Sequence, residues 1–429
     1  MKTERFLKEE LQKIHSTLKT SLNNDDQSIF RFQYDEIDTC ELLNHVTCEK
    51  IFYFKSKYGD FSCLGLGHSE TVKSRELNDF TKKYPDLFLT AAFSFEENAL
   101  DTEFILPEWI FIRRDGITEL TINKSYEYKN FSTPNLFFNS SFDLNLYDPF
   151  IPPWQSYEEH PEHDQWAEMI KAADQQFLNG ELQKIVLSRK KIFGYECPVE
   201  PMAFFKAAMA QNNFAQSSYA IFNQINFGET FISLTPEKFF TIKDQSFESI
   251  SLAASAPRGV TEQEDAVYEE SLNTSEKLVR EHNIVTEEIV KKIKTISTEL
   301  IVSPLQTMKL PYIQHRSVPI AAKLNPGITA LDLVVLLHPT PAVGGIPWDK
   351  ARNKILELEP GPRKYYAAPI GVISEHYSEM AVGIRAALIE AAKITLYGGA
   401  GIVSGSTAEE EWLETGIKMN PYLKVVNHE

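Results

Sequence analysis

The residues most informative about the fold lie near the C-terminus and read ITLYGGAGIVSGSTAEEEWLETGIKM, residues 394–419. An apolar run typical of a strand enters a cluster of four glycines, and a segment rich in glutamate follows. Gly399 and Gly401 partly match the GxGxxG turn of dinucleotide-binding folds. Such a fold needs a second parallel strand and an acidic residue about twenty positions further on. The sequence after Gly401 leaves no room for them, so a nucleotide site is not expected.

The acidic segment after the glycines has the signature of a helix start. Ser406 or Thr407 can cap the helix, and Glu409 or Glu410, three residues later, can close a capping box. Caps of this kind satisfy backbone N–H groups that lack a partner in the first turn. This structural role accounts for the first two acids without any ligand.

The next acids of the same helix point to a different use. Glu411, Glu414 and Lys418 share one helical face through their i, i+3, i+7 spacing. Two carboxylates one turn apart suit a hard divalent cation such as Mg²⁺, which prefers oxygen ligands, and the lysine could hold an anion bound to that metal. A solvated face of salt bridges explains the same spacing, so the helix alone does not decide between them.

Composition is typical of a large globular protein without a nucleic-acid or membrane partner. The 429 residues are 43% hydrophobic and carry a formal net charge of −17, which argues against nucleic acid or an anionic membrane surface as the main partner. The longest apolar runs are far too short to cross a bilayer. The four cysteines form no CxxC pair and no secretory signal is visible, so a cytoplasmic protein with reduced thiols is expected.

Residues 1–150 predict an N-terminal α+β region that is part of the same compact fold as the rest of the chain. Apolar residues at helical spacing predict an amphipathic helix over residues 1–20; they are Leu7, Leu11, Ile14 and Leu18. Two hairpins are predicted further on, with turns at residues 58–60 and 115–116.

Residues 147–166 are rich in proline and acid and predict a linker. Its two histidines lack a third ligand at metal-binding spacing. The catalytic region, residues 155–426, predicts a helix that stops at Asn179-Gly180 and a long helical segment over residues 264–296. Hairpins mixed with a few long helices favour an α+β fold with antiparallel sheets rather than a succession of βαβ units.

Three charged residues lie where the pattern predicts a rigid or buried position. Glu281 shares a helix face with Leu278 and Val285, and a carboxylate there needs a partner or a metal. Lys184 lies on the inner face of the predicted strand QKIVLSR, where burial would lower its pKa towards use as a base; a place at the solvent end of the strand is the alternative. Glu237 lies at the corner of the strand–turn–strand segment FISLTPEKFFTI.

Further blocks extend this pattern over residues 165–425. In chain order they are ELQKIVLSRK, LTPEKFF, SLAASAPRG, VREHNIV, LHPTPAVGGIP, YYAAPIGVIS, AVGIRAALI and the stretch quoted first. In these blocks the sequence resembles the chorismate-utilising enzymes, which include isochorismate, salicylate, anthranilate and aminodeoxychorismate synthases. The resemblance implies one large α+β domain of the anthranilate synthase component I type, with chorismate and Mg²⁺ bound in a cleft.

The resemblance also implies roles for individual residues. Glu281 and Glu414 match the metal-binding glutamates of the family, and Glu411 matches one that supports the metal. The groups that hold the substrate or line its site are matched by Ser255, His338, Tyr366, Arg385, Gly399 and Lys418. A dianionic substrate fits an acidic protein on this assignment, because Mg²⁺ neutralises one carboxylate while Arg385 offers a planar fork to the other.

Lys184 separates the branches of the family. Members that use water as the nucleophile resemble this chain in having lysine there, whereas aminating members usually have glutamine. The resemblance therefore implies an isochorismate synthase, and the N-terminal hairpins resemble its menaquinone-pathway type. Lys184 would activate water for attack at C2, and Glu237 would protonate the departing C4 hydroxyl. The alternatives are a salicylate synthase, an aminating synthase subunit and a non-catalytic homologue that binds chorismate.

Three positions depart from the family pattern. Ala254 replaces a glycine before Ser255, Leu278 replaces an acid three residues before Glu281, and Ala368 replaces another glycine. An added methyl group at Ala254 would crowd the substrate or shift the backbone amides there. These departures predict altered efficiency, since none of them removes a main group of the site.

Overall fold

The computed structural model describes residues 29–34, 38–43, 46, 48–123, 151–211 and 218–428. The predicted amphipathic helix over residues 1–20 lies outside these ranges. The helices are α1 Thr39–Leu43, α2 Leu77–Lys83, α3 His163–Leu178, α4 Pro201–Gln211, α5 Glu262–Thr274, α6 Glu276–Lys294, α7 Ala330–Leu337, α8 Trp348–Leu358 and α9 Ala408–Val426. Short 3₁₀ turns lie at Ser74–Glu76 and Ala99–Asp101.

The strands are numbered in chain order. They are β1 Ile29–Tyr34, β2 Ile51–Lys55, β3 Phe61–Leu66, β4 Glu70–Lys73, β5 Leu89–Ala92, β6 Glu103–Leu106, β7 Trp109–Arg114, β8 Ile117–Asn123, β9 Ser156–His160, β10 Lys184–Gly194, β11 Tyr219–Asn226, β12 Glu229–Thr235, β13 Lys238–Lys243, β14 Ser246–Pro257, β15 Ser297–Val302, β16 Gln306–Lys309, β17 Ile313–Leu324, β18 Gly345–Ile346, β19 Pro369–Ile373, β20 Tyr377–Val382, β21 Ala386–Glu390 and β22 Lys393–Ile402. Both predicted hairpin turns are confirmed, because β2 pairs with β3 and β7 with β8.

The strands form two antiparallel sheets. The first has twelve strands in the order β1-β8-β7-β3-β2-β11-β12-β21-β22-β10-β18, with β9 also on β10. The second has ten in the order β15-β17-β14-β13-β20-β19-β5-β6-β4, with β16 also on β17. Strands from before residue 124 and after residue 151 pair in both sheets, through β2 with β11 and β5 with β19. The limits of the predicted N-terminal region and catalytic region stay a prediction.

Two predictions about local structure need correction. The linker over residues 147–166 contains strand β9, whose polar side chains mislead because the strand is largely exposed. The helical segment over residues 264–296 is two helices, α5 and α6, separated by the extended backbone of Ser275. The predicted stop of α3 at Asn179-Gly180 is confirmed, and Gly180 takes the left-handed backbone (φ 69°) that favours glycine there.

The core lies on both faces of the first sheet. The larger apolar cluster joins side chains of both sheets with those of α3, α6 and α7. The smaller cluster covers the other face, where Phe204 of α4 stacks on Tyr422 of α9 with ring centroids 5.8 Å apart. Helix α9 therefore has a fixed position against the sheet that contains β10 and β22. None of the helices in the described ranges is long and apolar enough to cross a membrane.

Candidate active site

Lys184 opens strand β10 and is almost fully buried, with 1% of its surface exposed. Its Nζ donates a hydrogen bond of 2.9 Å to Oε1 of Glu281 on α6. The neighbouring strand β22 passes beneath this pair at Gly401, where an added Cβ would stand 2.2 Å from Glu281 Oε1 and 2.9 Å from Lys184 Cε. The pair exists because Gly401 has no side chain. The inner-face position predicted for Lys184 is the one observed, and the solvent-end alternative is not.

Glu237 lies in the turn between β12 and β13 and is also buried. Its backbone N–H donates to Thr235 Oγ1 at 3.2 Å, which fixes the turn. Burial raises the pKa of Glu237 to about 7, and the nearby cations Lys184, Lys418 and Arg385 oppose that rise only in part. A large share of this carboxyl group is therefore protonated at neutral pH, as a general acid requires.

Arg385 lies behind these groups, between β20 and β21, and is buried. Its backbone is left-handed (φ 48°), and its carbonyl accepts hydrogen bonds from Tyr422 Oη at 2.7 Å and from the Leu234 N–H at 3.0 Å. Burial lowers the pKa of Arg385 to about 10, so the guanidinium stays charged at neutral pH. Its Nε has no hydrogen-bond partner among the described residues. This donor is free for an anion.

His315 is a site residue that the sequence analysis missed. Its Nε2 lies 3.1 Å from Arg385 Nη2, and its Nδ1 lies 3.1 Å from Ser255 Oγ and 3.4 Å from the Ala254 carbonyl. Because a guanidinium only donates, the hydrogen-bond network assigns Nε2 as the acceptor and places the proton on Nδ1. Burial and the charge of Arg385 hold the pKa of His315 well below its usual range, so the ring is neutral.

The Ala254–Ser255 segment reaches His315 through a bulge in β14. The register with β17 shifts between Ala253 and Ser255, and Ala254 has a left-handed backbone (φ 60°). Glycine adopts this conformation without strain, so the backbone here favours the glycine that the resemblance led us to expect. The alanine here keeps the bulge at some cost in backbone energy.

The substrate-binding candidates Tyr366, Gly399 and Lys418 meet on the other side of the cavity. An added Cβ on Gly399 would lie 2.7 Å from Tyr366 Oη, so glycine permits this close approach. Lys418 Nζ donates to the Gly399 carbonyl at 2.9 Å and to Glu414 Oε1 at 2.6 Å. Lys418 thereby ties helix α9 to the glycine-rich end of β22.

The three predicted metal ligands meet where the N-terminal parts of α6 and α9 approach each other. Burial raises the pKa of Glu411 to about 7, and the negative charges of Glu414 and Glu281 add to the rise. Within the described ranges, however, no three groups of metal-ligand type stand close enough together to hold a metal ion. Their oxygen donors fit a hard cation such as Mg²⁺, once the ammonium groups that now bind them move aside.

The first two acids of α9 do not close the predicted capping box. Thr407 caps the helix by accepting from the Glu410 N–H at 3.3 Å. The side chain of Glu409 instead contacts His163 at 3.1 Å, and that of Glu410 binds Lys277 at 3.2 Å. Both acids are exposed and leave the interior of the site to Glu411 and Glu414.

The metal candidates Glu411 and Glu414 of α9 do not line the cavity, and neither does the predicted site residue His338. Its ring is buried edge-on against Phe95 and Phe239 at centroid distances of 6.0 and 6.4 Å. Its Nε2 has no partner among the described residues, and burial lowers the pKa of His338 to about 3. The motif LHPTPAVGG does reach the cavity, but through Ala342 and Val343.

Two cavities differ sharply in size and chemistry. The cavity between Lys184, Glu237, Arg385 and Lys418 has a volume of about 60 Å³. A larger one of about 610 Å³ is lined by other residues, among them Phe52 and Asn223, and contains none of the predicted catalytic, metal or substrate groups. We assign the site to the smaller cavity because the buried charges are there. Small-molecule sites usually measure roughly 300–1,000 Å³, so side chains around this one must move to admit a ligand.

Comparison with known proteins decides the family. The sequence model of the family described as chorismate binding enzyme matches residues 85–427, which is more than half of the chain. The chain belongs to the chorismate-binding enzyme family. Several members are similar to it over long alignments. Isochorismate synthase MenF of Bacillus subtilis is 34% identical over 273 residues, which are 63% of this chain and 57% of that protein.

Two further relatives have different names, one an isochorismate synthase and the other an anthranilate synthase component. Isochorismate synthase MenF of Haemophilus influenzae is 25% identical over 418 residues, 95% of this chain and 94% of that protein. Anthranilate synthase component 1 of Thermococcus kodakarensis is 27% identical over 267 residues, 61% of this chain and 60% of that protein. Both branches named in the sequence analysis are therefore represented among the similar proteins.

Solved structures show the same chorismate-binding fold. The menaquinone-specific isochorismate synthase MenF from Escherichia coli superposes with a TM-score of 0.83 at 24% identity, covering 96% of this chain and 99% of that one. Anthranilate synthase component I from Streptococcus pneumoniae superposes with a TM-score of 0.60 at 20% identity, covering 92% of each chain. The predicted α+β fold of the anthranilate synthase component I type is confirmed.

Proposed function

We propose that this chain is an isochorismate synthase, which converts chorismate to isochorismate. The observation that carries the proposal is a single small cavity lined by both Lys184 and Glu237, two buried groups suited to act as base and acid. Membership of the chorismate-binding family supports the substrate, and the isochorismate synthases among the similar proteins support the product. The menaquinone-specific structural relative supports a place in menaquinone synthesis.

In this proposal Lys184 and Glu237 move the two protons of the reaction. Lys184, acting as the base, takes a proton from a water molecule, whose oxygen bonds to C2 of the ring. Protonated Glu237 gives its proton to the C4 hydroxyl, which leaves as water while the ring double bonds shift. One water is consumed and one released, and proton exchange with solvent resets both side chains. The raised pKa of Glu237 favours the protonated form that this step needs.

The remaining residues hold the dianionic substrate. Arg385 offers a buried, charged donor set with a free Nε, and charge-assisted hydrogen bonds of this kind are the strong ones. Tyr366, Ser255 and Lys418 add polar groups to the cavity wall, and Gly399 lets the backbone approach the ring. Arg385 therefore binds one carboxylate and sets the orientation of the ring relative to Lys184.

We propose Mg²⁺ as the cofactor of this site. When bound, Mg²⁺ supplies a divalent charge that neutralises the other carboxylate of the substrate. Glu281 and Glu414 would hold the ion and Glu411 would support it. Their carboxylate oxygens are the donors that a hard cation prefers, and this donor chemistry supports the assignment.

The test is a product analysis. Purified protein is incubated with chorismate and Mg²⁺, and the products are separated by chromatography. We expect isochorismate as the product; no conversion at any Mg²⁺ concentration would contradict the proposal. Salicylate together with pyruvate would identify a salicylate synthase. Product formation only with added ammonia or a glutaminase partner would identify an aminating synthase, and chorismate binding without turnover would identify a non-catalytic homologue.

A further inference from the structure

Each of the three glutamates assigned to the metal binds a different lysine. Glu281 Oε1 lies 2.9 Å from Lys184 Nζ. Glu414 Oε1 lies 2.6 Å from Lys418 Nζ, and Glu411 Oε1 lies 2.7 Å from Lys277 Nζ. Lys184 and Lys418 line the cavity and have roles in the proposed reaction, whereas Lys277 does not line it. The presence of Lys277 in this cluster needs a separate explanation.

The position of Lys277 follows from the geometry of two helices. Lys277 is in the first turn of α6, four residues before Glu281, so the two side chains lie on the same helical face. That face meets the first turn of α9, which contains Glu410 and Glu411. Lys277 Nζ bridges these two acids, at 3.2 Å from Glu410 and 2.7 Å from Glu411.

Burial strengthens the electrostatic interaction between Lys277 and Glu411. The side chain of Glu411 is 3% exposed and that of Lys277 is 23% exposed, so solvent screens their interaction less than it screens a surface pair. A divalent cation that approaches Glu411 meets the ammonium of Lys277 on the same carboxylate. The two cations therefore compete for one site, and each weakens the binding of the other.

We propose that Lys277 is a resident counter-ion of Glu411 that limits the affinity of the site for a hard divalent cation. This inference rests on the proposed function, since it assigns a regulating residue to the metal site of that function. In the absence of the metal, Lys277 neutralises Glu411 and keeps α6 and α9 together. When the metal binds, it takes over this carboxylate from Lys277.

The experiment measures Mn²⁺ binding directly, by the electron paramagnetic resonance signal of free Mn²⁺ during titration of the full chain. Lys277→Met removes the competing charge, and we expect its Kd for Mn²⁺ to fall by roughly three- to tenfold, the effect of one partly screened charge. Lys277→Arg keeps the charge and should bind within twofold of the wild type. Lys354→Met is the matched control, because it removes a lysine that pairs with Glu357 on a different helix.

The outcomes separate this inference from the proposed function. Unchanged or weaker Mn²⁺ binding by Lys277→Met, or no binding by either protein, would overturn the inference even if the wild type makes isochorismate. Tighter binding by Lys277→Met without isochorismate formation would uphold the inference and overturn the function. If Lys277→Met does not fold, as judged by its thermal unfolding, Lys277→Gln takes its place and the same shift in Kd is required of it.

Discussion

The two ends of the cavity balance their charges in opposite ways. At the α6–α9 end, each of the three carboxylates binds a lysine directly. At the β17 end, the buried guanidinium of Arg385 contacts the neutral ring of His315, and its Nε has no partner among the described residues. One end has its counter-ions in place, whereas the other keeps an unneutralised cation in a buried position.

This difference in charge balance allows an acidic protein to bind an anion. A buried charge without a partner is costly, and the cost falls when a partner of opposite sign arrives. At the Arg385 end no carboxylate of the described part of the chain contacts the guanidinium, so a substrate carboxylate is the partner that our proposal assigns to it. At the α6–α9 end, lysines satisfy the carboxylates, and in our proposal a metal replaces these lysines. The proposal therefore assigns the binding of an anion to the first end and the exchange of cations to the second.

The largest expected effect comes from Lys184, which lies between the two ends. Lys184→Ala should lower kcat by roughly 10²–10⁴, the usual contribution of a general base, while chorismate binding is largely kept. Steady-state kinetics and a binding titration check this. Lys191→Ala is the control, since Lys191 is on the same strand and pairs with Glu159, and neither residue lines the cavity. Lost binding with unchanged kcat would make Lys184 a substrate anchor instead.

The next largest effect is the change in the protein's free energy of unfolding with pH that Glu237 causes. The folded-state pKa is raised from 4.5 to about 7, so the folded protein holds this proton more tightly than the unfolded chain. The stability of the protein should therefore fall as pH rises from about 4.5 to 7, by at most about 3 kcal/mol from this group. Glu237→Gln removes the dependence, and its melting temperature relative to wild type should be higher at pH 8 than at pH 5.

A surface control accompanies this measurement. Glu299 is exposed on β15, and Glu299→Gln should shift the melting temperature equally at both pH values. If Glu237→Gln behaves like Glu299→Gln, the carboxyl group of Glu237 is not held protonated by burial. Its proposed role as the acid would then lose its physical basis.

The anion end is tested by Arg385. Arg385→Ala should lower kcat/KM by about 100-fold, mainly through KM, because a charge-assisted contact to the substrate is lost. Arg385→Lys keeps a charge without the planar fork and should recover only part of the loss. A fall in kcat with unchanged KM would remove Arg385 from substrate binding in the ground state.

The smallest effect is expected from His315, which positions Arg385 and has no direct role in proton transfer. His315→Ala should raise KM by about tenfold with little change in kcat, the effect of one hydrogen bond to a charged group. His315→Gln restores an acceptor for Arg385 and should recover most of the affinity. If kcat falls in both variants while KM stays constant, His315 acts on the reacting atoms and the comparison of the two ends must be revised.

The sequence supports predictions about periodicity and turns more firmly than predictions about pairing between distant elements. The hairpin turns and the stop of α3 follow from local residue types, and the structure has them. The break at Ser275 was not predictable in the same way, because neither glycine nor proline marks it. Strand β9 was missed since its exposed side chains lack the alternation that reveals a half-buried strand.

In the site, too, local spacing predicts which side chains share a face, but it does not predict their partners from distant parts of the chain. The face shared by Glu411, Glu414 and Lys418 follows from helical spacing, and so does the unusual position of Glu281. The partner of Glu411 does not, because Lys277 is 134 residues away in the chain. The polar run at Gln314–Ser317, near the start of β17, is buried and was the available signal for His315. His338 was placed in the site because a motif does not say which of its side chains faces inward.

Gly401 shows that a residue without a side chain can be essential to a site. It contributes no chemical group, yet the space that its missing Cβ leaves is filled by Glu281 Oε1 and Lys184 Cε. In a screen of random substitutions, Gly401 should therefore tolerate replacement as poorly as a catalytic residue does. Even alanine would push Glu281 and Lys184 apart. The proposed site therefore depends on a position without a side chain as well as on its charged groups.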